Sequence, residues 1–179
     1  MNGKKLSRFL SLVLRHKPEE IGVELDEHGW ANVDQLIQKM GQAGKAVNRG
    51  KVEWIVTENA DRFSLSEDRK RIRANEGHTV KIDLGLETIE PPEVLYHGTA
   101  DRLMKSIEAR GLQKRGRQHV HLTDDFKEAK LTGMRHGAPA ILLVEARRMW
   151  LDGWKFYLTE TGVWLTDQEI PVRYLERDA

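Results

Sequence analysis

The chain contains no cysteine, which excludes disulfides, thiolate nucleophiles and Cys-based zinc sites. No apolar run approaches the length needed to span a bilayer. The opening Met1-Asn2-Gly3-Lys4-Lys5 leads into an amphipathic segment, not the apolar stretch of a signal peptide. The expected address is the cytoplasm, with no membrane involvement. Net charge is only +1, so there is no uniform electrostatic footprint for nucleic acid, and any anion site must come from local clustering. The HExxH, Walker, G-x-S-x-G and G-x-G-x-x-G signatures are missing, which removes support for a zinc peptidase, P-loop ATPase, hydrolase or Rossmann enzyme. No internal repeat, low-complexity segment or ligand cluster of metal-site spacing is present, so no metal is expected. Nothing in the sequence calls for an obligate protein partner.

What is present is an ordinary globular composition. With 179 residues, 39% hydrophobic and 32% charged, the chain has material for one large domain or two small ones. Leu6, Phe9, Leu10, Val13 and Leu14 recur at helical spacing, and Pro18 marks the stop. Asn32 followed by Gln35 reads as a capping box opening a second helix with Val33, Leu36, Ile37 and Met40 inward. A third helix starts near Asn48 with Val52, Ile55 and Val56. Residues 62–65 and 71–73 then form two short strands around the polar turn Glu67-Asp68-Arg69-Lys70. Three helices followed by a β-hairpin is the order of a winged-helix domain.

Pro91-Pro92 is the clearest punctuation and divides the chain into domains 1–90 and 91–179. Strands and helices alternate beyond it. A strand at 94–96 precedes a helix with Leu103, Met104 and Ile107 that Gly111 ends, and a strand at 118–122 precedes a helix at 124–136 that Gly137 ends. The run Ala140-Ile141-Leu142-Leu143-Val144 is apolar on both faces and reads as a central strand. Three more short strands are expected at 156–158, 163–165 and 172–175. The fold class is α+β, with a mixed or antiparallel sheet in the second half.

Two segments carry the chemistry. Tyr96-His97-Gly98-Thr99 and His119-Val120-His121-Leu122-Thr123 each read as a short strand presenting histidine, with Gly98 leaving room for a ligand near the backbone. Val120 and Leu122 face one way, His119 and His121 the other. One such histidine alone is an ordinary edge-strand residue; the combination points to a pocket. Basic residues gather at Arg15-His16-Lys17, at Arg69, Lys70, Arg71 and Arg73 on the hairpin, at Lys114, Arg115, Arg117 and His119, and at Arg135-His136-Gly137. Arg15 and Lys17 also complement a helix dipole, and a charge run is commonly just a solvated face. A site of His, Arg and hydroxyl groups, with the carboxylates elsewhere, suits an anionic substrate.

These residues, in this order, resemble the RNA 2′-phosphotransferase family, whose members remove an internal 2′-phosphate from RNA, tRNA included, using NAD⁺. The likeness runs from Leu14-Arg15-His16-Lys17-Pro18 through Ile72-Arg73-Ala74-Asn75-Glu76-Gly77-His78, Tyr96-His97-Gly98-Thr99, His119-Val120-His121-Leu122 and Arg135-His136-Gly137 to Gly162-Val163-Trp164-Leu165-Thr166. The resemblance implies a winged-helix-like first lobe and a second lobe similar to ADP-ribosyltransferases, in which a His-Gly-Thr strand grips the nicotinamide riboside. The RNA 2′-phosphate would attack C1″ of the NAD⁺ ribose and expel nicotinamide. The neighbouring 2″-hydroxyl would then attack phosphorus, releasing 2′-hydroxyl RNA and ADP-ribose 1″,2″-cyclic phosphate.

Family catalytic positions are matched here by Arg15, His16, Arg73 and Arg117, with Arg115 a second candidate in the loop of Arg117. The resemblance assigns His97, Gly98, Thr99, His121, Arg135 and Val163 to NAD⁺, and Lys17, Arg71, His78 and His119 to the RNA substrate. His16 would either protonate the departing RNA 2′-oxygen or bind phosphate. Many ADP-ribosyltransferases carry a Glu on the last catalytic strand to activate a weak nucleophile. The corresponding Gly162-Val163-Trp164-Leu165 has none, and Glu160 lies just outside it. A phosphomonoester, largely a dianion near neutral pH, brings its own charge and needs guanidinium positioning more than a base. Two other readings remain: an ADP-ribosyltransferase that caps 5′-phosphate ends of RNA or DNA, and a non-catalytic winged-helix regulator that senses NAD⁺.

Overall fold

The computed structural model describes residues 1–178 and divides into two compact units, Met1–Gly85 and Leu86–Ala179. The division falls ahead of Pro91-Pro92 because residues 86–90 are tied into the second unit. Thr88 forms a bridge with Tyr157, and the Ile89 N–H donates to the Phe156 carbonyl at 2.9 Å.

In the first unit, α1 (Gly3–Arg15) opens at Asn2, whose side chain accepts from the Lys5 N–H. Leu6, Leu10, Val13 and Leu14 form its fully buried stripe. A short strand, β1 (Ala31–Asn32), leads directly into α2 (Val33–Gln42), capped by Asn32 through the Gln35 N–H. Val33, Leu36 and Met40 are buried, whereas Ile37 is only half-buried. Asn48 caps α3 (Arg49–Glu58), which buries Val52, Ile55 and Val56. Strands β2 (Phe63–Leu65) and β3 (Arg71–Ala74) form the expected antiparallel hairpin, and β1 joins β3 on its other side, giving the order β1-β3-β2. A two-residue strand has too little alternation to be read from sequence. Ile72 and Ala74 face the core with the helices, at about 1.5–3 kcal/mol for a fully buried large aliphatic. Arg71 and Arg73 therefore take the opposite sheet face.

The second unit contains β4 (Leu95–Ala100), α4 (Met104–Arg110), β5 (Val120–Leu122), α5 (Phe126–Met134), β6 (Pro139–Val144), α6 (Ala146–Leu151), β7 (Tyr157–Leu158), β8 (Trp164–Thr166) and β9 (Leu175–Arg177). The described pairings are all antiparallel. They make two three-stranded sheets, β4-β6-β9 and β5-β8-β7, joined by an isolated bridge between Tyr96 and Thr123. β6 is paired on both sides, as its two-faced apolar run requires. Two expectations are corrected. Residues 172–174 form a 3-10 turn, so the last strand begins only at Leu175, and α6 occupies a stretch for which no helix was expected. Pro171 supplies the first correction, since its extended conformation turns the chain directly into Val172.

Gly98 has a structural explanation. A Cβ there would lie 1.7 Å from the Ala129 carbonyl oxygen on α5, and one at Gly133 would lie 2.8 Å from the Thr99 carbonyl oxygen. The two glycines let α5 lie directly on β4. On the side-chain side of Gly98, the room expected for a ligand is filled by this helix.

Candidate functional site

In the first unit the last turn of α1 is wrapped by the segment 76–80. The Arg15 carbonyl accepts from the N–H groups of Thr79 and Val80, at 2.9 and 3.3 Å, and from the Thr79 hydroxyl at 3.4 Å. This satisfies a helix-end carbonyl and seats Gly77 beside the Arg15 side chain. Gly77 has φ +84°, and a Cβ there would stand 3.6 Å from Arg15 Nη1. Arg15 Nη2 donates to the Arg62 carbonyl at 3.4 Å and stands 3.8 Å from Glu76 Oε1, with both side chains of that ion pair mostly buried. His16 Nδ1 meets Thr79 Oγ1 at 3.1 Å. A guanidinium and an imidazole thus sit side by side at one helix end. His78, from the same segment, is buried, and Lys17 is exposed.

Arg73 belongs to a different cluster. Its guanidinium lies 4.5 Å from the Trp30 ring centre, with that of Arg71 at 5.3 Å, and Arg71 also pairs with Asp26 at 3.6 Å. Arg62, expected at the start of a strand, is the arginine whose carbonyl accepts from Arg15.

In the second unit, β4 and β5 bring the histidines together. His97 Nδ1 donates to the His121 carbonyl at 2.9 Å, since a carbonyl can only accept. Burial holds its pKa below the usual histidine value, and the nearby positive charges of Arg117, Arg115 and His136 push the same way. His97 is therefore neutral near pH 7, with Nε2 as an acceptor. Arg117 Nη1 donates to His121 Nδ1 at 3.1 Å, so in the neutral His121 ring the proton sits on Nε2. Thr99 is buried on the His97 face of β4. His119 packs edge-on against Tyr157 at 6.1 Å, and burial lowers its pKa too, opposed by Asp167. Arg135 is exposed just past α5, and Val163 is half-buried in the turn before β8, its N–H on Thr159 Oγ1 at 3.0 Å. β8 itself carries no acid, and its Thr166 hydroxyl is buried without a hydrogen-bond partner. His136, from the Arg135-His136-Gly137 motif, is brought near His97 by the path of the chain after α5.

The described residues hold no group of three or more His, Asp or Glu able to bind a metal ion, and no helix long and apolar enough to cross a membrane. The sequence matches the family model "RNA 2′-phosphotransferase, Tpt1 / KptA family" over residues 2–168.

The chain belongs to the RNA 2′-phosphotransferase family.

Its relatives are equally extensive. A Flavobacterium johnsoniae protein named probable RNA 2′-phosphotransferase is 48% identical over 174 residues, covering 97% of this chain and 95% of its own. Proteins of the same name from Agrobacterium fabrum and Fusobacterium nucleatum are 48% and 44% identical, covering 94% and 98% of this chain and 91% and 98% of their own. For a 2′-phosphotransferase, the arrangement groups the predicted residues by unit: Arg15 and His16 in the first, with Arg71 and Arg73 apart on Trp30, and His97, Arg117 and His121 in the second.

Proposed function

We propose that this family member removes an internal 2′-phosphate from RNA by transferring it to NAD⁺. What carries the reading is the Arg15–His16 pair on the wrapped end of α1. A phosphate dianion needs a fork of N–H donors and a nearby imidazole, and this helix end offers both.

The second unit fits the dinucleotide by its donor set. A neutral His97 whose Nε2 accepts is suited to ribose hydroxyls, and the guanidinium charges of Arg115 and Arg117 near it are suited to a pyrophosphate. NAD⁺ supplies the electrophilic ribose carbon and the nicotinamide leaving group. Arg15 orients the phosphate, whose charge makes it a nucleophile without a general base, in keeping with the absence of an acid on β8. Arg117 offsets charge that builds at phosphorus when the ribose hydroxyl attacks, and it holds His121 in one tautomer while doing so. His16 takes up the proton that the attacking ribose hydroxyl loses and returns one to the RNA 2′-oxygen as that bond breaks. Arg71 and Arg73, beside the Trp30 ring, serve the RNA backbone.

Reaction of the full chain with NAD⁺ and a 2′-phosphorylated oligonucleotide tests this directly. The expected products are 2′-hydroxyl RNA, nicotinamide and ADP-ribose 1″,2″-cyclic phosphate. No consumption of the 2′-phosphate, or consumption without nicotinamide release, overturns it. A stable ADP-ribosyl cap on 5′-phosphate ends would instead favour the capping reading, which membership of this family does not.

A further inference from the structure

The polar face of α1 extends well beyond Arg15. Lys4, Arg8, Ser11 and Arg15 follow the i, i+4, i+7, i+11 spacing, which at about 100° and 1.5 Å per residue aligns them within roughly 60° along about 16 Å. Lys4 and Arg8 are exposed and Ser11 is half-buried, so the stripe is open as far as the mostly buried Arg15. At its far end it borders a groove of about 390 Å³ between α1 and α3, lined among others by Lys4, Arg8, Trp54, Glu58 and Arg62. Lys4, Arg8 and Arg62 share it with Glu58, and Arg62 also pairs with Asp61 at 3.7 Å. Trp54 is 44% exposed, unusual for the largest apolar side chain, and its ring is held in place. Lys51 Nζ lies 3.8 Å from the ring centre, and Gly3 lies so close that a Cβ would stand 2.8 Å from the indole. The groove's inner wall is ordered as well. Ser7 Oγ donates to Asn59 Oδ1 at 3.1 Å and accepts from Arg62 Nη1 at 3.5 Å, and the Arg62 carbonyl in turn accepts from Arg15. Arg62 thus touches both the groove and the Arg15 cluster.

We infer that this groove and stripe form a separate subsite for the single-stranded RNA flanking the phosphorylated nucleotide. The inference rests on the RNA reading above and extends it. A fixed, exposed indole with lysine and arginine around it matches what unpaired nucleotides require: a π-face for one base and point charges for the backbone. Sixteen ångströms corresponds to about four or five stacked nucleotides at roughly 3.4 Å each, so substrate length, not base identity, is what this surface reads. An acidic or apolar protein segment would leave either the indole or the cations without a partner.

The experiment compares a nine-nucleotide RNA with one central 2′-phosphate and a trinucleotide with the same modification. The full chain is used, as Lys4→Gln/Arg8→Gln, Trp54→Ala and Trp54→Phe variants. The double variant is expected to raise KM about tenfold for the nonamer, with kcat and all trinucleotide parameters near the parent values. Its log–log salt dependence of nonamer binding should flatten by about 1.4, two contacts at roughly 0.7 each for a single strand. Trp54→Ala should show the same length-selective loss without the salt change, and Trp54→Phe should recover most of it. Equal losses on both substrates, or no loss on the nonamer, overturn the subsite. Anisotropy with a fluorescent nonamer lacking the phosphate reads the groove independently of turnover. If the parent protein binds it in a Lys4- and Arg8-dependent way but leaves 2′-phosphates intact, the proposed reaction fails and the groove stands. Unchanged anisotropy in the variants sinks the groove alone.

Discussion

Replacing Gly98 by alanine distinguishes two reasons for a glycine in the Tyr96-His97-Gly98-Thr99 strand. If it serves a ligand, the variant folds normally and binds poorly. If it serves α5, the variant loses stability first. The geometry favours the second. A Cβ would sit 1.7 Å from the Ala129 oxygen, 2.6 Å from the Ala129 carbonyl carbon and 3.0 Å from the Gly133 nitrogen. All three are backbone atoms, so no side-chain rotation relieves the overlap. Restoring an ordinary contact of 3.4 Å requires α5 and β4 to separate by about 1.7 Å, which opens the helix-strand contact. Overpacking of this kind costs typically 1–3 kcal/mol and occasionally more, and the rigid backbone partner puts the expectation near about 3 kcal/mol. Native-state hydrogen exchange on the full chain is the assay. Amides of β4 and α5 should lose about a hundredfold in protection, while those of α1 to α3 keep theirs. Parent-like protection in β4 and α5, with loss of dinucleotide binding, would refute the packing argument.

Three further outcomes follow from the same contacts. Arg15→Lys keeps the charge but loses the planar fork, so kcat/KM for 2′-phosphorylated RNA should fall about a hundredfold, about 2.7 kcal/mol, with affinity for an NAD⁺ analogue unchanged; a parallel loss of dinucleotide affinity contradicts the assigned role. Arg117→Ala should slow the attack on phosphorus more than the first step, by roughly 3 kcal/mol, so that ADP-ribosylated RNA accumulates in single-turnover gels; substrate loss without that species shows Arg117 acting earlier. Burial places the His97 pKa below the ordinary value of about 6.5, so the stability tied to its neutral form is present above that pH and drains as pH falls toward the folded pKa, at no more than about 1.4 kcal/mol per pH unit. His97→Gln should therefore lose less stability than the parent between about pH 6.5 and 5 in urea titrations, and identical slopes would show that His97 already titrates normally.

Much of the first unit was legible because its signals are local. Asn32 and Asn48 accept from backbone N–H groups at the expected helix starts, and the buried residues of α1 fall on the predicted stripe. The central position of β6 was readable from an apolar run with no polar face. What escaped the sequence depended on distant partners. β1 exists only because Ala31 and Asn32 meet Ile72 and Arg71, some forty residues later, and the 86–90 segment joins the second unit through Tyr157 and Phe156. The same holds for Gly98, where the atom that excludes a side chain lies on a helix thirty residues away.

The site shows the same division. The histidines of β4 and β5 could be paired by motif, yet their protonation could not, because it hangs on one carbonyl and one guanidinium. His97 donates to a backbone oxygen and stays neutral, while His121 accepts from Arg117 and keeps its proton on the other nitrogen. Two histidines that look equivalent in sequence are thus set in opposite tautomers. The arginines divide by the same logic. Arg15 is held by a carbonyl and a carboxylate at a helix end, and Arg73 is held by an indole on a sheet face. Equivalent charge in the sequence is thus held in two unlike settings, a helix end with a carbonyl and a carboxylate for Arg15 and a sheet face beside an indole for Arg73.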